Sequence, residues 1–133
     1  MGTLIDTSVL VAMQRGQLDP GRLRDEDDDE AVAMAAITAS ELLHGVHRVA
    51  GAVARTRALR FVEHLLASMP VVSFDLDVAR VHARLDAELS SRGVPVGDAD
   101  LMIAATAVCL DYRVATRDQR SFPRITGLEV VRW

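Results

Sequence analysis

The chain has 133 residues, of which 50% are hydrophobic and 26% are charged, a balance typical of a globular domain rather than a disordered or fibrous protein. No apolar run is long enough to span a membrane, no signal peptide opens the sequence, and the single cysteine excludes an internal disulfide. These features predict a cytoplasmic protein with one domain covering residues 1–133.

The net charge of -4 hides an uneven distribution of charge. Six of the acids form one consecutive run, Asp25 to Glu30. The rest of the chain holds 15 bases and 13 acids. All 15 bases are arginine, the side chain best suited to bidentate contacts with phosphate. The acidic run itself is expected to be a solvated loop. A metal site is not expected there, because consecutive acids cannot all face one ion.

Short apolar strands alternate with helical segments along the chain. The first half of the chain is predicted to form a strand at residues 3–5, a helix at 7–14, a loop or short polar helix at 16–30, a strand within 31–38, a helix carrying Glu41 and a helix at 52–67. The second half is predicted to form a strand at 71–74, a helix from Asp75 or Asp77 to near Gly93, an apolar helix after Gly97, and strands at 113–116 and 128–131. The alternation predicts an α/β fold of three layers, with helices on both faces of a mainly parallel sheet. In such sheets, binding sites form beyond the carboxyl ends of the strands.

Two helix starts are predicted from capping residues. Thr38 and Ser40 are candidate N-caps for the helix that carries Glu41. Gly97 favours a turn just before Asp98, which makes Asp98 the expected N-cap of the apolar helix and puts Asp100 in its first turn.

Four acids lie at the ends of strands or the starts of helices and could share one site. Asp6 follows the first strand, Glu41 follows the second, and Asp118 follows the strand at residues 113–116. Asp100 opens the apolar helix, whose amino terminus stabilises carboxylates. Converged carboxylates repel one another unless a cation joins them, and oxygen ligands suit Mg²⁺ or Mn²⁺. Because any one of these acids alone is more often a helix cap, the prediction depends on the set.

Four sequence blocks together resemble the PIN-domain ribonucleases, and most closely the VapC toxins of type II toxin–antitoxin pairs. The blocks are "LIDTSVL", "TASELLHGV", "GVPVGDADLMIAATA" and "VATRDQRSFPRITGLEV". They occur in the order of the family and cover nearly the whole chain. In this resemblance Asp6, Glu41, Asp100 and Asp118 correspond to the family's acids, while residues 16–30 match none of its motifs.

The resemblance implies a three-layer PIN-like fold and a ribonuclease that depends on Mg²⁺ or Mn²⁺. Asp6 and Asp100 would bind the metal ion directly. Glu41 would bind the ion or orient a water beside it, and Asp118 would complete the site. Supporting residues that would hold ligands or water in place are Ser8 and Thr116.

The resemblance also implies a substrate and partners. The substrate would be RNA, such as tRNA or ribosomal RNA. A phosphate-binding patch is one interpretation of four arginines, and a solvated helix face is the other; these are Arg48, Arg55, Arg57 and Arg60. An antitoxin of the VapB type would insert an arginine into the acidic cleft, and the protein would form a homodimer, with no membrane contact.

A phosphatase is the first alternative. The stretch "VVSFDLDVA" resembles the opening motif of haloacid dehalogenase-type phosphatases, with Asp75 as nucleophile and Asp77 as acid. Ala79, however, stands where that motif has Thr or Val, and a helix cap at Asp75 or Asp77 is the simpler interpretation.

Two further alternatives concern the acids and histidines. Glu41, His44 and His47 recur every three residues and could bind zinc, but their order differs from that of zinc proteases and no third histidine follows nearby. A non-catalytic PIN-like RNA-binding module would be expected to lose carboxylates, whereas this chain keeps all four.

Overall fold

A computed structural model of the protein describes residues 1–24 and 30–133. The acidic run, predicted to be a solvated loop, therefore lies outside the described residues except for Glu30. The Glu30 carboxylate lies 3.4 Å from Nη2 of Arg113, which belongs to the sheet. Across the described ranges, no helix is long and apolar enough to cross a membrane.

A parallel sheet lies at the centre of the fold. Its strands are β1 (Thr3–Ile5), β2 (Val32–Ala35), β3 (Val71–Val72), β4 (Arg113–Thr116) and β5 (Val130–Arg132). The strand order is β3-β2-β1-β4-β5, and every neighbouring pair is parallel. From β1 the chain adds β2 and β3 on one side of the sheet, and later β4 and β5 on the other side. The topological switch point therefore lies between β1 and β4. A crevice for ligands is expected there, beyond the carboxyl ends of these two strands.

Helices cover both faces of this sheet. In the part of the chain that the structure describes, they are α1 (Thr7–Gln14), α2 (Ala36–His47), α3 (Ala52–Ser68), α4 (Leu76–Ser91) and α5 (Asp98–Leu110), with short 3-10 helices at Pro20–Arg24 and Phe122–Arg124. The predicted α/β fold of three layers around a parallel sheet is thereby confirmed.

Alternate side chains of the central strands point to opposite faces and build two hydrophobic clusters. Leu4 of β1 and Val114 of β4 pack with α4 and α5, whereas Ile5 and Ala115 pack with α1, α2 and α3. Because both faces are covered, β1 is apolar on both sides, and Leu4 and Ile5 are fully buried. The next residue, Asp6, therefore lies where a completely buried strand ends.

The start of α2 differs from the sequence prediction. The helix begins at Ala36, with Ala35 in the N-cap position, so neither Thr38 nor Ser40 caps it. The chain passes directly from β2 into α2, and the extended backbone of Ala35 (φ -76°, ψ 153°) already has the N-cap conformation. No capping side chain is required, and Thr38 is instead fully buried inside the first turns of the helix.

Burial predicts that Leu10→Ala destabilises the fold far more than Leu76→Ala. Leu10 of α1 is fully buried, so its truncation leaves a cavity that should lower the free energy of unfolding by about 2–5 kcal/mol. Leu76 of α4 is 65% exposed, and its truncation should cost less than about 0.5 kcal/mol. Urea unfolding of both variants measures the difference, and equal losses would contradict the packing of α1 against the sheet.

Candidate active site

Asp6 lies at the switch point of the sheet. Its backbone N–H donates to the carbonyl oxygen of Ala115 in β4 over 2.9 Å, and the residue is only 4% exposed. Asp6 occupies the N-cap position of α1, but its side chain accepts no capping hydrogen bond. A capping role therefore does not explain why this position carries an acid.

Two hydroxyl groups hold the Asp6 carboxylate. Ser8 Oγ and Thr116 Oγ1 both donate to Asp6 Oδ2, over 2.6 and 2.8 Å. The backbone N–H of Arg117 donates to Ser8 Oγ and fixes that side chain in turn. Among the described residues, no donor reaches Asp6 Oδ1, and no arginine or histidine forms an ion pair with Asp6. The buried charge is thus compensated by neutral hydroxyls alone.

Asp118 is connected to the same hydroxyl network. Its backbone N–H donates to Thr116 Oγ1 over 2.9 Å, so one threonine side chain contacts both Asp6 and Asp118. The Asp118 carboxylate accepts a hydrogen bond from the backbone N–H of Arg120 over 2.8 Å, which closes a tight turn after β4. Thr116 therefore fixes the distance between two of the predicted site acids.

Asp100 completes a group of three acids whose charges interact. Burial is the main cause that raises the pKa of the Asp100 carboxyl above its ordinary value of 3.8. A hydrogen-bonding contact with the Ser121 side chain opposes this change in pKa, and repulsion by the carboxylates of Asp6 and Asp118 adds to it. Asp100 at the start of α5 therefore lies close enough to the acids that follow β1 and β4 for their charges to interact.

The two acids at the start of α5 differ in their surroundings. The helix begins at Asp98 with Gly97 in the N-cap position, so the prediction that Asp98 is the N-cap is wrong. Gly97 has the extended conformation of a cap (φ -61°, ψ 149°), and its carbonyl accepts from Leu101 N–H over 2.9 Å without help from a side chain. Asp100 lies in the first turn, as predicted. Asp98 is exposed, whereas Asp100 is half-buried and faces the other acids.

Glu41 lies at the rim of the site. It belongs to α2 and is exposed, but its Oε1 accepts a short hydrogen bond of 2.7 Å from Thr7 Oγ1. Because Thr7 directly follows Asp6 in the chain, this bond ties the fourth predicted acid to the carboxyl end of β1.

The donor chemistry at this edge fits a divalent cation. Within residues 1–24 and 30–133, no three His, Cys, Asp or Glu side chains are arranged to hold an ion by themselves. Asp6 and Asp100 fit an ion that keeps much of its water, since Mg²⁺ is usually bound through one or two carboxylates and completes its shell with water or substrate phosphate. A donor set made of oxygen alone suits such an ion better than zinc.

The alternative sites receive no support from the geometry. Asp75 Oδ1 accepts a hydrogen bond of 3.0 Å from Val78 N–H and caps α4, the simpler role that the sequence suggested. Glu41, His44 and His47 follow one another along α2, but they form no metal-binding group in the described ranges. The hydrogen bond from Thr7 also directs Glu41 towards α1.

The predicted phosphate-binding arginines have different surroundings. Nε and Nη2 of Arg55 donate to the carbonyl of Val49 over 3.2 and 3.0 Å, which supports the connection between α2 and α3. Arg48 follows the last turn of α2 and is exposed. Arg57 and Arg60, one turn apart on α3, line an open groove on the surface. Arg55 thus has a structural contact, whereas the other three present their side chains to solvent.

Three residues of the site were not identified from the sequence. They are Thr7, which contacts Glu41; Ser121, which contacts Asp100; and Arg117, whose backbone N–H donates to Ser8 Oγ while its exposed side chain donates to the Trp133 carbonyl over 3.3 Å. The only signal for Thr7 was a hydroxyl directly after a candidate acid at the junction of a strand and a helix. Ser121 and Arg117 carried no signal beyond their position in the closing block.

Comparisons with known proteins agree with this fold and site. A profile of the PIN domain matches residues 3–128. "Ribonuclease VapC1" of Rickettsia felis is 31% identical over 131 residues, which cover 98% of this chain and 96% of that protein. "tRNA(fMet)-specific endonuclease VapC" of Salmonella typhimurium is 28% identical over 130 residues, covering 98% and 96% of the two proteins. The chain belongs to the PIN-domain family and, within it, to the VapC ribonucleases.

A solved structure shares the same architecture. It is a member of the VapBC family of toxin–antitoxin systems, VapBC-5, from Mycobacterium tuberculosis, and it matches with a TM-score of 0.79 and 33% identity. The match covers 99% of this chain and 98% of that one. PIN-domain ribonucleases generally depend on a divalent metal ion, in keeping with the oxygen donors described above.

The raised pKa of Asp100 predicts how stability depends on pH in the metal-free protein. The folded protein binds this proton more tightly than the unfolded chain, so the stabilisation is complete below the ordinary value of 3.8 and is lost as pH rises through the raised pKa. The asparagine of Asp100→Asn does not titrate, so this variant should not show that loss of stability with rising pH.

Urea unfolding in EDTA, from about pH 4 to about pH 7, measures this effect. With rising pH, the wild type should lose free energy of unfolding relative to Asp100→Asn. The exposed neighbour provides the control, and Asp98→Asn should follow the wild type. A difference between wild type and Asp100→Asn that stays constant, or changes in the opposite direction, would contradict the electrostatic coupling of these acids.

Proposed function

We propose that residues 1–133 form a single PIN domain that acts as a Mg²⁺-dependent endoribonuclease, the toxin of a type II toxin–antitoxin pair in the cytoplasm. The observation that carries this proposal is the repulsion that Asp6 and Asp118, just past the carboxyl ends of β1 and β4, exert on the half-buried Asp100. Buried carboxylates that repel one another are costly unless a cation compensates them. A divalent ion used in phosphodiester hydrolysis would supply that charge, and Mn²⁺ would be an adequate substitute.

Each site residue has a distinct task in this proposal. Asp6 and Asp100 would hold the ion, which when bound activates water and stabilises the charge that develops on the phosphate. Ser8 and Thr116 keep the Asp6 carboxylate in one orientation through their hydrogen bonds. The remaining roles are those of Asp118, which would complete the site, and Glu41, which would bind the ion or orient the attacking water.

RNA is the proposed substrate, and tRNA is the class that we favour over ribosomal RNA. The relative from Salmonella typhimurium is named as a tRNA-specific endonuclease and matches nearly the full length of this chain. Arg48, Arg57 and Arg60 would contact phosphates outside the site. Arg55 and Arg117 are weaker candidates, because the carbonyls of Val49 and Trp133 already accept from their guanidinium groups.

An antitoxin is the proposed protein partner. The solved structure from Mycobacterium tuberculosis is of a member of the VapBC family of toxin–antitoxin systems. An arginine from a VapB-like partner would pair with the clustered carboxylates and exclude the metal ion. We also propose that the toxin forms a homodimer. Co-expression with the adjacent gene, followed by purification and light scattering, tests both points; a monomer without a co-purifying small protein would contradict them.

The matched variants Asp100→Asn and Asp98→Asn test the metal site. Asp100→Asn should lower the rate of tRNA cleavage by more than the roughly 10- to 100-fold loss typical of residues that only support a metal ligand. It should also abolish Mg²⁺ binding in calorimetry without unfolding the protein. Asp98→Asn should change the cleavage rate by less than about threefold, because its side chain is exposed to solvent.

The same assays include the outcomes that would contradict the proposal. Loss of cleavage in Asp98→Asn, with activity kept in Asp100→Asn, would show that the metal is placed on the wrong acid. Equal cleavage by the wild type in excess EDTA would exclude the carboxylate–metal mechanism. Binding of RNA by the wild type with no cleavage at any Mg²⁺ concentration would support the non-catalytic alternative.

A further inference from the structure

Thr7 contacts two successive turns of α2. Its Oγ1 donates to Glu41 Oε1 over 2.7 Å and lies 3.2 Å from Thr38 Oγ1. Thr38 and Glu41 are three residues apart and therefore lie on the same face of the helix. Because a hydroxyl has one proton, the shorter contact, to the charged carboxylate, is the one that receives it. The bridge thus runs from a buried threonine through Thr7 to an exposed acid.

Glu41 depends on this bridge for a fixed orientation. Its side chain is exposed, and among the described residues no other hydrogen bond or ion pair holds its carboxylate. A glutamate without such a contact would sample several rotamers in water. Thr7 is adjacent to Asp6 in the chain and lies against the fully buried Thr38, so the hydroxyl that donates to Glu41 is itself held in place. The bridge thereby fixes Glu41 relative to the end of β1.

We propose that Thr7 is a positioning residue that orients Glu41 towards the acids at the end of β1. The inference rests on the proposed ribonuclease function and deepens it. Two successive hydroxyl residues then have separate tasks, since Ser8 holds Asp6 while Thr7 holds Glu41. Neither hydroxyl can take over the role of the other, because Ser8 contacts the acid after β1 and Thr7 contacts an acid of α2.

Substitution of Thr7 by valine and by serine separates the hydroxyl from the shape of the side chain. Thr7→Val removes the donor and keeps the branched Cβ, and it should lower kcat for tRNA cleavage by roughly 10- to 100-fold with KM nearly unchanged. Thr7→Ser keeps the donor and should retain most of kcat. Crystal structures of the two metal-free variants supply a readout apart from activity, since the Glu41 carboxylate should leave its position only in Thr7→Val.

Thr38 provides the control for stability. Valine at position 7 leaves the buried Thr38 hydroxyl without its neighbour, which by itself lowers the melting temperature. In the double variant Thr7→Val/Thr38→Val that buried polar group is gone, so the melting temperature should recover while kcat stays low. Recovery of kcat together with the melting temperature would overturn the positioning role.

A double-mutant cycle with Glu41→Gln shows whether Thr7 acts through Glu41. Thr7→Val should slow cleavage by the wild type but cause less than about a twofold further loss in Glu41→Gln. An equal loss in both backgrounds would overturn the inference and leave the ribonuclease function intact. Full activity of Glu41→Gln would overturn the role of Glu41 and this inference with it, whereas absence of cleavage by the wild type would overturn the proposed function.

Discussion

The two hydrogen bonds that Ser8 and Thr116 donate to Asp6 are the contacts on which the site depends. Asp6 is almost completely buried, and neutral hydroxyls lower but do not cancel the cost of its charge. Both bonds fall on one carboxylate oxygen, Oδ2, and no donor among the described residues reaches the other. A cation in the crevice would compensate this charge further, which is why the proposed metal ion fits the site.

The register of the sheet produces this arrangement. Ile5 pairs with Ala115, so Asp6, the residue after β1, lies beside Thr116, the last residue of β4. The same two strands flank the switch point of the sheet. A shift of one residue in the pairing of β1 with β4 would place a buried apolar side chain beside Asp6 and separate it from its hydroxyl. The packing of Leu4 and Ile5 on opposite faces prevents that shift.

Much of this architecture was predictable because it follows from local patterns. The run "GTLID" contains two adjacent apolar residues that only a strand covered on both faces can bury, and the acid marks where the strand ends. The alternation of such strands with helices predicts a parallel sheet, but the order β3-β2-β1-β4-β5 depends on long-range packing. The predicted caps at Thr38, Ser40 and Asp98 failed because the extended backbone of Ala35 and Gly97 starts each helix without a side chain. Capping propensity is a weak signal wherever the backbone supplies the same conformation.

The candidate site was predictable only in part, for a related reason. The acids could be identified because carboxylates are typical metal ligands and because they lie in the four blocks that resemble the family. Their supports are ordinary hydroxyl residues whose partners lie far away in sequence: Thr7 is 34 residues from Glu41, and Ser8 is 108 residues from Thr116. No local pattern distinguishes such a hydroxyl from a solvated one. Only the folded arrangement shows which hydroxyl contacts which acid, including the single threonine, Thr116, that contacts both Asp6 and Asp118.

Anomalous diffraction from crystals of the RNA-free protein grown with Mn²⁺ tests most directly whether the acids at the end of β1 bind a divalent ion. The expected result is a peak about 2.0–2.6 Å from carboxylate oxygens of both Asp6 and Asp100, with water in the remaining positions. The contradictory result is the absence of a peak at this edge, at an Mn²⁺ concentration that supports RNA cleavage, with an arginine of this chain bound to Asp6 Oδ1 in place of the ion.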